Sequence, residues 1–228
     1  KSSSRRHVWD TFFFVGSVVA TFSQGIMLGA LVQGLEASNR LYTGGPFDWL
    51  TPFSIVCGFA MIIGYALLGS TWLIIKTEHT LQVWARQVSR WMLTALLVAM
   101  IVVTAFMYFS DIDALEGWFS FPDLLYLAPM PIIVMLLFFI MRKDLKTERE
   151  YRPFLLTVAL FLMGYIGVCF ALFPYIVPYQ MTIYEAAAAD TSLSFMLIGA
   201  CIMLPIILSY TAFAYYTFKG KSDHNPMY

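Results

Sequence analysis

Apolar residues fall in six long runs, at about 11–35, 51–75, 91–110, 124–141, 154–178 and 193–218, and no Asp, Glu, Lys or Arg lies inside any of them. An α-helix needs roughly 20 apolar residues to cross a hydrocarbon core of about 30 Å. A helix buried in a water-soluble core is shorter and carries its apolar residues on one face. These runs are too long for that and are apolar all round. One charge at a helix centre costs about 2.5–3.5 kcal/mol on insertion, whereas each Leu, Ile, Phe or Val returns only about 0.3–0.6 kcal/mol. The pattern therefore predicts an all-α, polytopic membrane protein, a bundle of six transmembrane helices forming one domain over residues 1–228. It excludes a soluble enzyme.

Turn chemistry sharpens some boundaries. Gly44-Gly-Pro46 is a turn signal, and Thr51-Pro52 suits a helix start, with Thr as N-cap and Pro in the first turn. Pro129 and Pro131 fall in the fourth run, Pro174 in the fifth and Pro205 in the sixth. Each removes a backbone donor and is able to kink or stop a helix. Leu81–Arg90 alternates apolar and basic residues and is expected to lie along the membrane surface before the third span. Trp9, Trp49, Trp72, Trp84, Trp91 and Trp118 all sit near run ends or in loops, where amphipathic rings favour the headgroup level.

Lys and Arg set the direction. The N-terminal segment, the second and fourth loops and the tail hold thirteen of them: Lys1, Arg5, Arg6, Lys76, Arg86, Arg90, Arg142, Lys143, Lys146, Arg149, Arg152, Lys219 and Lys221. The opposite face holds Arg40 alone. That bias places the thirteen-charge face, and with it both ends of the chain, in the cytoplasm. The other face carries Glu36, Asp48, Asp111, Asp113, Glu116, Asp123, Glu185 and Asp190. The loops Glu36–Asp48 and Ile112–Pro122 are expected there, within reach of a partner.

Composition agrees. Of 228 residues, 60% are hydrophobic and only 12% charged, with a mean hydropathy of +0.73. Soluble domains run nearer 45–50% and about 25%. The net charge is zero, so nothing points to nucleic acid. Cys57, Cys169 and Cys201 lie in apolar runs and form no CxxC or Cys/His pattern. They read as small buried hydrophobes. His7, His79 and His224 all fall outside the runs. A membrane haem needs axial ligands projecting into the bundle interior, so this chain is expected to hold no haem and no metal of its own.

The runs offer only neutral polar groups, among them Ser23, Gln24, Gln33, Ser54, Thr71, Thr104 and Ser209. Gln24 and Gln33 are candidates for lining a hydrated path, though interhelical hydrogen bonds explain them more simply. A small-solute permease or channel is the alternative function that such groups allow, against the absence of intramembrane charge usual in transporters. Small residues let membrane helices approach closely. Gly25-xxx-Gly29 on the first span, with Gly58 and Gly64 on the second, are therefore candidate packing positions, and their faces are expected to meet a partner protein.

Three separated blocks carry a family resemblance. Gly44-Gly-Pro-Phe-Asp-Trp-Leu-Thr-Pro-Phe-Ser54, with Gly64-Tyr-Ala-Leu-Leu-Gly-Ser-Thr-Trp-Leu-Ile-Ile-Lys-Thr-Glu78, is the first. Phe173-Pro-Tyr-Ile-Val-Pro178, Thr182-Ile-Tyr-Glu-Ala-Ala-Ala188 and Ser192–Met196 form the second, and Leu204–Tyr216 the third. Together they resemble subunit II of the cytochrome bd-type ubiquinol oxidases, in the flavour of the cyanide-insensitive branch, from about residue 8 to residue 218. The resemblance implies a respiratory complex of the bacterial plasma membrane that oxidises quinol and reduces dioxygen to water. It implies a partner subunit I bearing haems b and d, and a subunit II with no haem. A bound structural quinone, surrounding lipid and a small accessory subunit are further associations of the family. Its subunit II has eight spans. With six here and Lys1 in place of an initiator Met, the expectation is the C-terminal portion of a longer product, whose acidic proton-delivery residues lie in the part preceding Lys1.

Overall fold

The computed structural model describes residues 3–34, 37–38, 41–109, 129–178, 180–218 and 220–221. Helix α1 runs Ser3–Gln33. It stops where Gly34 takes a left-handed φ of 87° and returns its N–H to the Leu31 carbonyl at 3.1 Å, a conformation that glycine adopts without steric cost. Strands β1 (Ala37–Ser38) and β2 (Leu41–Tyr42) pair antiparallel. The turn after them is held by its own polar groups. The Tyr42 hydroxyl donates to the Gly45 carbonyl at 2.7 Å, the Gly45 N–H donates to the Asp48 carboxylate, and the Trp49 indole donates to the Pro46 carbonyl at 2.8 Å.

Helix α2 (Pro52–Lys76) opens on a reciprocal cap. Thr51 Oγ1 accepts the Ser54 N–H at 3.0 Å, and Ser54 Oγ accepts the Thr51 N–H at 2.9 Å, so two orphan donors of the first turn are satisfied at once. Helix α3 spans His79–Phe109 without a break. Leu81–Arg90 therefore does not lie along the membrane surface as a separate segment; it forms early turns of the third span. The reason is packing: Ala85 and Ser89 are buried, and the Ser89 hydroxyl donates to Ser70 Oγ of α2 at 2.9 Å.

Helix α4 covers Pro129–Asp144. Pro129 and Pro131 thus fall in its first turn, where a missing N–H is tolerated, rather than kinking a span. Residues 124–128 of the expected fourth span, and the loop Ile112–Pro122, lie outside the described residues. Helix α5 (Tyr151–Leu172) ends before the expected residue 178. Phe173, ahead of Pro174, is extended, as the residue before proline prefers. The chain then enters β3 (Tyr175–Val177), which pairs antiparallel with β4 (Met181–Thr182). One turn, α6 (Ile183–Ala186), precedes the last helix, α7 (Asp190–Thr217), which contains Pro205.

The protein is an all-α integral membrane protein. Among the described residues, α1 from His7, α2, α3, α5 and α7 are long and apolar enough to cross a membrane. The 16 described residues of α4 reach about 24 Å, short of a full hydrocarbon core. Packing is concentrated in α1–α5. One buried cluster joins Leu67 and Ile74 of α2, Ala85 and Leu93 of α3, Phe138 and Met141 of α4 with Leu145 beyond it, and Leu160 of α5. A smaller one, toward the other end, sets Val32 of α1 and Phe53 of α2 against Val103, Phe106 and Met107 of α3. Helix α7 contributes to neither, and none of its residues is buried.

Candidate functional site

Of the glycines singled out from sequence, Gly25, Gly29 and Gly58 meet at the seam between α1 and α2. A Cβ at Gly25 would lie 2.6 Å from the Cys57 carbonyl oxygen and 2.6 Å from Gly58 Cα, and one at Gly29 would lie 2.7 Å from Ser54 Cα. A Cβ at Gly58 would lie 2.5 Å from the Phe22 ring, and one at Gly64 would lie 3.0 Å from the Phe161 ring of α5. These faces are filled by the chain's own helices. The expectation that the glycine-bearing faces meet a partner protein is corrected accordingly. The signal read from sequence is one of close approach, and close approach occurs within a chain as readily as between chains.

The same seam holds both glutamines. The Tyr65 hydroxyl of α2 donates to Gln24 Oε1 at 3.1 Å, and the Thr51 hydroxyl donates to Gln33 Oε1. The two amides engage different partners at different depths and are not brought together. In lipid, where no water serves the group, such bonds tie one helix to the next.

A polar cluster closes the end of the bundle rich in Lys and Arg. Glu150, just before α5, accepts from Gln82 Nε2 of α3 at 2.9 Å and from Lys221 Nζ at 2.6 Å. Lys221 also lies 3.6 Å from Glu78. The lysine and the amide hold the Glu150 carboxyl below the usual carboxylate range, and the carboxylate in turn raises the Lys221 ammonium. Lys76 Nζ, 5.4 Å above the Trp72 ring, donates to the carbonyls of Phe218 and Gly220 at 2.8 and 3.1 Å. Beside these, the buried Asp144 carboxylate pairs with Arg152 at 3.2 Å and Arg149 at 3.6 Å, and Arg86 donates to the Thr147 carbonyl at 2.6 Å. Sequence reading used these charges only for orientation. Apart from Asp144 with Arg149 and Arg152, and Lys76 with Trp72, their contacts join residues 61 or more apart in the chain and leave no local signature.

These contacts, with Tyr215 set edge-on against Trp72 at 5.8 Å, hold the C-terminal end of α7 to the rest. Further along, the helix is a free apolar surface from Leu193 to Phe213. Gly199 has nothing within 4 Å of an added Cβ.

Among the described residues no group of three or more His, Cys, Asp or Glu is placed to hold a metal ion. His7 and His79 are exposed near helix starts. Met141 is buried, but its sulfur accepts the Thr157 hydroxyl at 3.7 Å. His7, His79 and this methionine do not form an axial pair for a haem, and His224 lies outside the described residues.

The family model described as cytochrome bd terminal oxidase subunit II matches residues 1–218. Among curated proteins, the probable cytochrome oxidase subunit 2 of Haemophilus influenzae is 26% identical, over 96% of this chain and 67% of that protein. The cytochrome bd ubiquinol oxidase subunit 2 of Bacillus subtilis is 22% identical, over 95% and 64%. The cytochrome bd-I ubiquinol oxidase subunit 2 of Escherichia coli K12 is 24% identical, over 95% and 66%. The chain thus spans about two thirds of the length of the relatives it matches.

Proposed function

Because the chain belongs to the cytochrome bd terminal oxidase subunit II family, we propose that it serves as the haem-free second subunit of a respiratory quinol oxidase in the bacterial plasma membrane. On this reading a partner subunit I carries haems b and d, which supply electron transfer from quinol and the reduction of dioxygen to water. This chain supplies helix surface, as one transmembrane domain. Two of the relatives are named as subunits of ubiquinol oxidases, and the exposed positions of His7 and His79 fit a subunit without haem.

The observation that carries the reading is α7. A 28-residue apolar helix with no buried residue gains nothing from hydrophobic exclusion in lipid, and close packing is what fixes a membrane helix in place. Among the described residues, its own chain holds it by the polar and ring contacts near the end at Tyr215–Lys221. The partner's helices are the packing surface that α7 lacks. The bonds of Gln24 and Gln33 across the α1–α2 seam support a cohesive role over a solute path, and so favour the oxidase subunit over a permease.

Gly199→Trp tests this. The chain's own helices leave that position open, so the variant should insert and fold. Recovery of the haem-bearing partner with it should fall several-fold. Full recovery of the partner would show that α7 faces lipid instead.

A further inference from the structure

Between α2 and α3 lies an open apolar groove of about 460 Å³. Phe59 and Ala60 of α2 and Ala95, Val98 and Ala99 of α3 line it, and the alanines leave the space that larger side chains would fill. Along α3 the lining runs from Trp91 to Val102. The rise from Trp91 to Val102 is about 16 Å, roughly half of a hydrocarbon core of about 30 Å. The groove is therefore as long as one leaflet is deep.

Its polar end is distinctive. Trp91 and Thr94 both line the groove. Arg90 sits one turn above Thr94 on the same helix face, and the Thr94 hydroxyl donates to the Arg90 carbonyl at 3.0 Å. Gln87 precedes Arg90 by three residues and Trp91 by four, so it shares this stripe. Gln87, Arg90 and Trp91 are all exposed. Arg86, Arg149 and Arg152 are engaged within the chain, whereas Arg90 has no ion-pair partner among the described residues.

We propose that the α2–α3 groove is a binding site for one anionic phospholipid, with an acyl chain along Ala60, Ala95 and Ala99 and the headgroup phosphate held by Arg90 beside Trp91. The apolar slot, the amphipathic indole and the unpaired guanidinium follow one another along α3 in the order of chain, glycerol level and phosphate. Basic positions between membrane helices recognise anionic headgroups in this way. A neutral quinone would leave the guanidinium without a counter-charge, and a partner helix would have to bury it. The inference requires that α3 cross the membrane, not that the chain belong to an oxidase, nor which side Arg90 faces.

The test places a photo-cross-linking residue, p-benzoylphenylalanine, at the exposed Val98 in the full-length subunit within its native complex. The complex is reconstituted in nanodiscs of equal phosphatidylglycerol and phosphatidylcholine with identical acyl chains, and products are weighed by mass spectrometry. The site predicts a roughly five-fold preference for phosphatidylglycerol, the value one basic group carries at a membrane surface. Arg90→Gln should abolish it and Arg90→Lys should keep most of it. If Arg90→Gln fails to assemble, raising the salt concentration on the unsubstituted protein should erode the preference instead. Equal labelling of the two lipids, a preference indifferent to both Arg90 and salt, or attachment to a polypeptide or a quinone would overturn the proposal.

Discussion

Gly25 and Gly69 are chemically the same residue with opposite surroundings. At Gly25 an added Cβ meets backbone atoms of α2 at 2.6 Å, and at Gly69 it meets nothing within 4 Å. Backbone has no rotamer to change, so the helices must separate. Overpacking costs about 1–3 kcal/mol, and Gly25→Leu should reach the upper part of that range. Gly69→Ala should be neutral or slightly stabilising, since alanine is the better helix former. Thermal unfolding of the two purified variants checks the contrast, and equal midpoints would contradict the seam. The sequence shows small residues four apart, as at Gly25 and Gly29, but not which helix they face. That choice depends on helix rotation and crossing, which no local pattern records. Gln24 and Gln33 show the same limit: their need for partners is visible in the sequence, and Tyr65 and Thr51 as those partners are not.

Among the elements, hydropathy locates helix centres well and helix ends poorly. The third span is expected from residue 91 because Arg86 and Arg90 precede it. Yet α3 begins at His79, because charges on an exposed face do not interrupt backbone hydrogen bonds. By contrast Thr51, Ser54 and Pro52 mark the start of α2 through local cap chemistry, which is readable in any sequence. The clasp on the C-terminal end of α7 belongs to this scale. The Glu150 carboxyl is held down, so its contribution is complete above the ordinary Glu value of about 4.3 and is lost as pH falls through its lower folded value. The Lys221 ammonium is raised, so its contribution is complete below about 10.4 and is lost as pH rises through its higher folded value. Between these limits the tail stays docked. A spin label at Phe218→Cys, with the native cysteines replaced, should be ordered from about pH 5 to 10 and gain mobility below about pH 4. Glu150→Gln should give the mobile spectrum at neutral pH. A label equally ordered in Glu150→Gln would remove the clasp as the anchor of α7.

For the whole molecule, the orientation expected from the Lys and Arg bias puts the polar cluster at Asp144, Glu150 and Lys221 in the cytoplasm. A membrane-impermeant thiol reagent applied to intact cells should therefore label Gly45→Cys and spare Lys146→Cys in a cysteine-free background, and the reverse pattern would invert the topology. The six-run pattern carries the membrane class, and the three sequence blocks carry the family. What neither displays is the lopsided distribution of burial, concentrated in α1–α5 with no buried residue in α7, because burial is a property of the assembled bundle. That asymmetry is what makes the chain read as part of a larger complex. The most direct measurement is a reduced-minus-oxidised absorption spectrum of the full-length subunit, tagged and purified from native membranes, beside the same subunit produced without its partner. The account predicts haem bands in the native preparation and none in the lone subunit. A native preparation without haem bands, or a lone subunit with bands of equal strength, would contradict it.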